Sequence, residues 1–116
     1  MARTSITLTK IVCNATHRGT DDVYVVYQPD CGFPVRVPHG WENNISMDAG
    51  TSWNINVTME FENDVLVTLY DADINLDPFS SDFIVCYDYT PANLPSSTTV
   101  SNLEGAKYTL YATKNS

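Results

Sequence analysis

Six of the fourteen acidic residues in this chain of 116 residues gather in two short stretches, against only six basic residues in all. The longer stretch, DADINLDPFSSD, carries Asp71, Asp73, Asp77 and Asp82. The shorter one, TDD, carries Asp21 and Asp22. Like charges at this density repel one another unless a cation neutralises them. Ca²⁺ takes about six to eight oxygen ligands in irregular geometry, so the six aspartates predict a calcium site.

Other ions fit the longer stretch less well. Zn²⁺ prefers His or Cys, and neither occurs between Asp71 and Asp82. Mg²⁺ binds fewer carboxylates and keeps more of its water. The spacing partly matches the calcium loop of helix–loop–helix proteins, but Leu76 stands where that loop needs glycine, and the flanking residues favour strands. A solvated acidic loop without a metal is the plain alternative.

The elements that must position these acids follow a period of two. In SWNINVTMEF, apolar residues alternate with polar ones from Trp53 to Phe61, which predicts one half-buried strand. In ITLTKIVC, Ile6, Leu8 and Val12 are expected on one face, with Lys10 interrupting the row. Further strands are predicted in DVYVVYQ, FPVRV, DVLVTLY, DFIVCYDY and AKYTLYA, with a short extra one at Thr98–Ser101.

Turn residues separate these segments, and helical turns are expected only near Pro38–Asn43 or Ser101–Glu104. Seven or eight strands at this spacing predict an all-β sandwich or barrel, organised as one domain over residues 1–116. On this skeleton Asp71 and Asp73 end one strand, and Asp82 opens the next. Asp21 and Asp22 immediately precede another strand, so the two acidic loops converge if those strands are neighbours.

Charge and the absence of long apolar runs exclude several classes of function. The net charge is −8 and the bases are scattered, so nucleic acid is not expected as a partner. An acidic surface also repels anionic membranes unless a cation bridges the two. The sequence shows no signal peptide and no transmembrane run, which predicts a soluble protein, cytoplasmic or exported without a visible signal peptide. The three cysteines lack metal-ligand spacing and are expected as buried or free thiols, with one disulfide plus one free thiol as the alternative.

The chain resembles C2 domains from about Ser5 to Tyr89. TDDVYVVY is similar to the family's Ser-Asp-Pro-Tyr-Val segment, with Val23 in place of proline. TSWNINVTMEFENDVLVTLYDAD resembles its Trp-Asn-x-x-Phe-x-Phe stretch and the following Leu-x-Val-x-Val-x-Asp-x-Asp strand. SSDFIV resembles the Asp-x-Ile-Gly segment that follows this strand in the family, with Val85 in place of glycine. Thr16 stands where the family has its first acid, and Pro78-Phe79 is an insertion.

The resemblance implies an antiparallel, eight-stranded Greek-key β-sandwich of the C2 type. It also implies that Ca²⁺ binds between loops at one end and that phospholipid docks there. Transferred residue by residue, Asp22 corresponds to an acid of the first loop, and Asp71, Asp73 and Asp82 correspond to acids of the third, with Asp77 inside that loop.

Three hypotheses about function remain. The first is a calcium-binding C2-like module that docks on phospholipid membranes, with Leu76 and Phe79 as its membrane or partner contacts, although both side chains also suit an apolar cluster beneath the loop. The alternative is a stand-alone module of toxin or effector type that recognises a protein or receptor through the aromatic anchors Trp41, Tyr27 and Phe33, with calcium structural or absent. The weakest hypothesis is an enzyme. A sandwich of this size leaves little room for a substrate cleft, and His17 and His39 have no nucleophile beside them, so no enzyme is predicted.

Overall fold

The computed structural model describes residues 3–16, 19–40, 43–72 and 81–115, with only the backbone of residues 81 and 82. Strands dominate this part of the chain, and it contains no helix able to cross a bilayer. In chain order the strands are β1 (Thr4–Ala15), β2 (Asp21–Pro29), β3 (Val35–Val37), β4 (Ile45–Met47), β5 (Ser52–Trp53), β6 (Val57–Phe61), β7 (Val65–Ala72), β8 (Ser81–Tyr89), β9 (Ser97–Ser101) and β10 (Lys107–Lys114).

The strands form two antiparallel sheets with four positions each. In the first sheet the order is β5-β1-β10-β9, and β6 pairs with β1 along the same edge as β5. In the second the order is β3-β2-β7-β8, and β4 pairs with β2 beside β3. Ten short strands therefore occupy eight positions, and the prediction of an eight-stranded antiparallel sandwich is confirmed in this sense. The chain crosses between the sheets after β1, β4, β6 and β8, as a Greek-key sandwich requires.

The core lies between the sheets and is built from the inward-facing half of each strand. Val23 and Val25 of β2 and Val65, Val67 and Leu69 of β7 are fully buried. Side chains of β1, β6 and β10 meet them from the first sheet. Alternation of buried and exposed residues is what period-two patterning produces when one face of a sheet is covered.

A bulge in β1 overturns one expectation from the sequence. Leu8 pairs with Ala112 but Lys10 pairs with Tyr111, so Thr9 is an extra residue in β1. The extra residue reverses which side chains face inward. Ile11 and Cys13 are consequently fully buried, and the prediction that Val12 continues the inner row is wrong. Lys10 lies partly exposed, with its ammonium 4.8 Å from the centroid of the Tyr111 ring.

The segment SWNINVTMEF is also not one continuous strand. β5 ends at Trp53 and β6 begins at Val57, and between them Asn56 adopts a left-handed conformation with φ of 48°. Asparagine tolerates this region better than most residues. β4 was not predicted, because three residues are too short for a period to appear. Residues 101–105 form the end of β9 and a turn rather than a helix, and 41–42 lie outside the described residues.

Candidate metal site at the Asp22 end

Asp21, Asp22 and Asp71, the predicted acids whose side chains are described, lie at one end of the sandwich, where β2 begins and β7 ends. We call this the Asp22 end. β1 and β10 meet there through the pair Ala15 and Lys107, and β7 and β8 through the pair Ala72 and Ser81. The connections β1–β2, β4–β5, β7–β8 and β9–β10 therefore all belong to this end.

Asp22 and Asp71 come together directly. The backbone N–H of Asp22 donates to Oδ1 of Asp71 at 2.8 Å, across the antiparallel pairing of β2 with β7. Oδ1 of Asp22 accepts a hydrogen bond from the Ser46 hydroxyl of β4 at 3.0 Å. Both aspartates are half-buried. The convergence of the two acidic stretches, expected from the sequence, is thus present at this pair.

Asp21 has a different environment from its neighbour. It faces the core, as Val23 does, and it is fully buried. The hydroxyl of Tyr108 in β10 donates to Oδ2 of Asp21 at 2.5 Å. Burial, followed by this hydrogen bond, raises the pKa of Tyr108 well above its usual range. Asp21 is therefore held from the interior, whereas Asp22 lies on the outer side of the sheet.

The remaining predicted residues are only partly described. Asp82 pairs with Asp71 in the ladder between β7 and β8, so its backbone lies at the same end, but nothing is described of its side chain. Asp73, Leu76, Asp77 and Phe79 lie outside the described residues. Among the described side chains, no group of three His, Cys, Asp or Glu residues is close enough to hold a metal ion.

Asp48 is an acid at this end that the sequence analysis missed. It lies in the turn between β4 and β5, and its Oδ1 accepts a hydrogen bond from the Thr20 hydroxyl at 2.6 Å. The same turn is closed by Thr51, whose hydroxyl donates to the Asp48 carbonyl. In the sequence, the motif DAGT indicates only a turn, because a lone aspartate in a turn is common. Only the topology reveals that this turn adjoins the loop before β2.

A row of aromatic side chains borders the pair on the outer face of the second sheet. Tyr24 and Tyr70 stack with ring centroids 5.3 Å apart, and Phe83 meets Tyr70 edge-on at 6.4 Å. The Arg36 guanidinium lies 3.8 Å from the centroid of the Tyr24 ring. Tyr24 follows Asp22 by two residues and Tyr70 precedes Asp71, so the row fixes the strands that carry the two acids.

The donor set that is described consists of carboxylate oxygens. One oxygen of Asp71 accepts the Asp22 N–H, and Oδ1 of Asp22 accepts the Ser46 hydroxyl. Carboxylate oxygens are the ligands that a hard cation such as Ca²⁺ prefers. The residues that the structure describes enclose no pocket.

Comparison with known proteins identifies the fold. The sequence matches no protein-family model and no curated protein. The structure is similar to one of a C2 domain, with a TM-score of 0.54, 15% identity and 98% of each chain covered. It is also similar to human GIVD cytosolic phospholipase A2 in complex with methyl γ-linolenyl fluorophosphonate inhibitor and terbium chloride. The TM-score of this second comparison is 0.52, at 12% identity over 98% of this chain.

A second structure of the same human phospholipase, in complex with methyl γ-linolenyl fluorophosphonate, gives a TM-score of 0.53 at 12% identity over 95% of this chain. The present chain spans only 16–17% of the length of these phospholipase chains. The similarity to the C2 domain covers 98% of both chains. The predicted resemblance is therefore confirmed at the level of structure. The chain has the fold of C2 domains.

Proposed function

We propose that this protein is a calcium-binding module of the C2 type, which docks on phospholipid membranes through the Asp22 end and has no catalytic role. The observation that carries the proposal is the contact between the Asp22 backbone and the Asp71 carboxylate, because it joins the first acidic stretch to the second. The C2 fold supports it, as does the separate C2 domain that matches over its whole length.

In this proposal the residues have different roles, which follow from their positions. Asp22 and Asp71 hold the ion together with Asp73, Asp77 and Asp82. Asp21 adds negative charge from the interior, where the Tyr108 hydroxyl fixes one of its oxygens. Such indirect support orients ligands and strengthens metal binding.

Bound Ca²⁺ supplies positive charge at a site where the chain is strongly acidic, and it leaves coordination positions for lipid phosphate oxygens. Leu76 and Phe79 are proposed to contact the bilayer or a partner. The chain's own carboxylates repel anionic lipid until the ion is bound, which makes docking depend on calcium.

Thermal unfolding with EDTA and with millimolar CaCl₂ tests the metal site. A ligand that binds only the native state adds about 2.7 kcal/mol to the free energy of unfolding at a hundred times its Kd. The melting temperature should therefore rise with calcium in the wild type and stay constant in the double variant Asp22→Asn, Asp71→Asn. Asparagine keeps an acceptor for the Asp22 N–H and the Ser46 hydroxyl, so this variant should fold.

The matched control is Asp64→Asn, Asp88→Asn, which makes the same change of charge at the opposite end and should keep the full calcium effect. Terbium luminescence sensitised by Tyr24 and Tyr70 gives a direct readout of an ion between Asp22 and Asp71. No melting shift and no sensitised terbium emission in the wild type would contradict the metal site.

Co-sedimentation with phosphatidylcholine–phosphatidylserine vesicles then tests docking. We expect sedimentation in calcium but not in EDTA. A calcium-dependent melting shift without sedimentation would instead favour a structural ion in a module that recognises a protein or receptor.

A further inference from the structure

The end opposite the Asp22 end displays an apolar tip on the connection between β2 and β3. We call it the Asp30 end. Phe33 is 91% exposed and Val35 is 40% exposed, with the exposed Pro34 between them. A single exposed apolar side chain is ordinary, but three consecutive ones at a loop tip form a patch that water hydrates poorly. The tip lies far from the acids proposed to bind calcium.

The tip is held in one shape by an extensive set of contacts. Asp30 and Cys31 both adopt left-handed conformations, with φ of 53° and 56°, which non-glycine residues adopt at a cost. The Gly32 N–H donates to the Pro29 carbonyl, and the Gln28 amide donates to the Gly32 carbonyl, both at 2.8 Å.

The Asp30 carboxylate accepts the backbone N–H groups of the turn between β6 and β7, at 2.9 Å from Glu62, 2.7 Å from Asn63 and 3.2 Å from Asp64. These hydrogen bonds lower the pKa of Asp30 below its ordinary value. A tip that is ordered before binding loses little conformational entropy when a partner covers it.

Negative charge borders the tip. The Asp30 contacts bring Glu62 and Asp64 beside it, and the Asp88 carboxyl lies within hydrogen-bonding reach of Asp64. Asp88 is exposed, and partial desolvation of its carboxyl, followed by the hydrogen bond with Asp64 and repulsion from it, raises the pKa of Asp88 to about 6. Arg3 contributes one positive charge close to Asp30. An anionic bilayer and a second copy of a chain with net charge −8 are both repelled by such a border.

We propose that Phe33, Pro34 and Val35 anchor a protein-docking surface whose partner presents an apolar pocket bordered by lysine or arginine. Phe33 enters the pocket, and Glu62, Asp64 and Asp88 pair with the basic border. Complementary charge at the rim sets the association rate and the choice of partner, whereas the buried aromatic anchor supplies most of the affinity. The proposal does not depend on calcium, because none of these residues belongs to the Asp22 end.

A random peptide library displayed on phage supplies the probe, selected against the wild type in EDTA. Enriched peptides should combine apolar residues with lysine or arginine. The peptide that binds best is then synthesised and titrated calorimetrically. Phe33→Ser should weaken its binding more than tenfold, since truncation of a central aromatic anchor has an effect of this size. Glu62→Gln, Asp64→Asn should weaken it severalfold and reduce its dependence on salt.

Leu103→Ser is the matched control, because Leu103 is as exposed as Phe33 but lies in the turn between β9 and β10, at the Asp22 end. It should leave peptide binding unchanged. Selection of no peptide, or of peptides that bind Phe33→Ser as well as the wild type, would overturn the proposal. So would Phe33-dependent binding to phosphatidylserine vesicles, or Phe33-dependent dimerisation in sedimentation equilibrium, since either would assign the tip to a different occupant.

Discussion

The Tyr108 hydroxyl donates a hydrogen bond to Asp21 across the interior of the sandwich, with 2.5 Å between the two oxygen atoms. Tyr108 belongs to β10 of the first sheet and Asp21 to β2 of the second, so this polar contact joins the two sheets. Both side chains are fully buried. A carboxylate in such a position is tolerated only when its oxygens are hydrogen-bonded, so the contact matters for stability whether or not a metal binds nearby.

Tyr108→Phe should therefore destabilise the protein. The substitution keeps the ring in the core but leaves Asp21 without its hydroxyl donor, which costs about 1–3 kcal/mol for a buried group. Tyr89→Phe is the matched control. Its hydroxyl is also buried but has no hydrogen-bond partner among the described residues, so its loss should leave stability equal or higher. Urea denaturation of both variants measures the difference, and equal losses would contradict the role assigned to Asp21.

The same two tyrosines predict a loss of stability at alkaline pH. Burial is the main cause that raises the pKa of both hydroxyls above the ordinary value of 10.0. Above about pH 10 the folded state retains protons that the unfolded state has released, so the free energy of unfolding falls as pH rises. Each tyrosine contributes a slope of about 1.4 kcal/mol per pH unit. Denaturation at pH 9, 10 and 11 should show this fall. Each Tyr→Phe variant should remove the contribution of that tyrosine to the fall in the free energy of unfolding.

The sequence predicts most of the sandwich because burial on one face imposes a period of two. The segments assigned from that period overlap β1, β2, β7, β8 and β10. The pattern fails where a single residue interrupts the alternation of inward-facing and outward-facing side chains along a strand. Thr9 does so in β1 through a bulge, and Asn56 interrupts the segment that looked most regular. Bulges and left-handed residues depend on how strands pair, and a single sequence does not record pairing.

For the candidate site, too, the sequence predicts some features, whereas others depend on contacts between distant parts of the chain. The composition of the two acidic stretches and their places beside strands predict that Asp22 and Asp71 approach each other, as they do. The separate environment of Asp21 was not predicted, because it depends on Tyr108, which lies 87 residues away in the chain. Asp48 was missed for a similar reason, since its partner Thr20 comes from a different connection.

The three cysteines should react in two classes. Cys31 and Cys86 are exposed, whereas Cys13 is fully buried, and burial is the main cause that raises its pKa. Because the thiolate is the reactive species, an exposed thiol is modified far faster than a buried one. Titration with a colourless aryl disulfide reagent should release two equivalents quickly and the third only on unfolding in urea. Cys13→Ala should abolish the slow class and no other, and three equal rates would contradict the burial of Cys13.

The carboxyl of Asp88 should make stability depend on pH in the acid range. Partial desolvation of this exposed group, followed by the hydrogen bond and repulsion from Asp64, raises the pKa of Asp88 from 3.8 to about 6 in the folded state. The folded state thus binds an extra proton between these two values, and stability should fall as pH rises from about 4 to about 6. Asp88→Asn should flatten that part of the curve and add up to about 1 kcal/mol to the free energy of unfolding at pH 7, since solvent screens the pair.

The control is Glu60→Gln, which changes an exposed acid on β6 and should leave the profile unchanged. A wild-type profile that rises over the same interval, or an Asp88→Asn variant that retains the fall, would show that the two carboxyls do not share a proton.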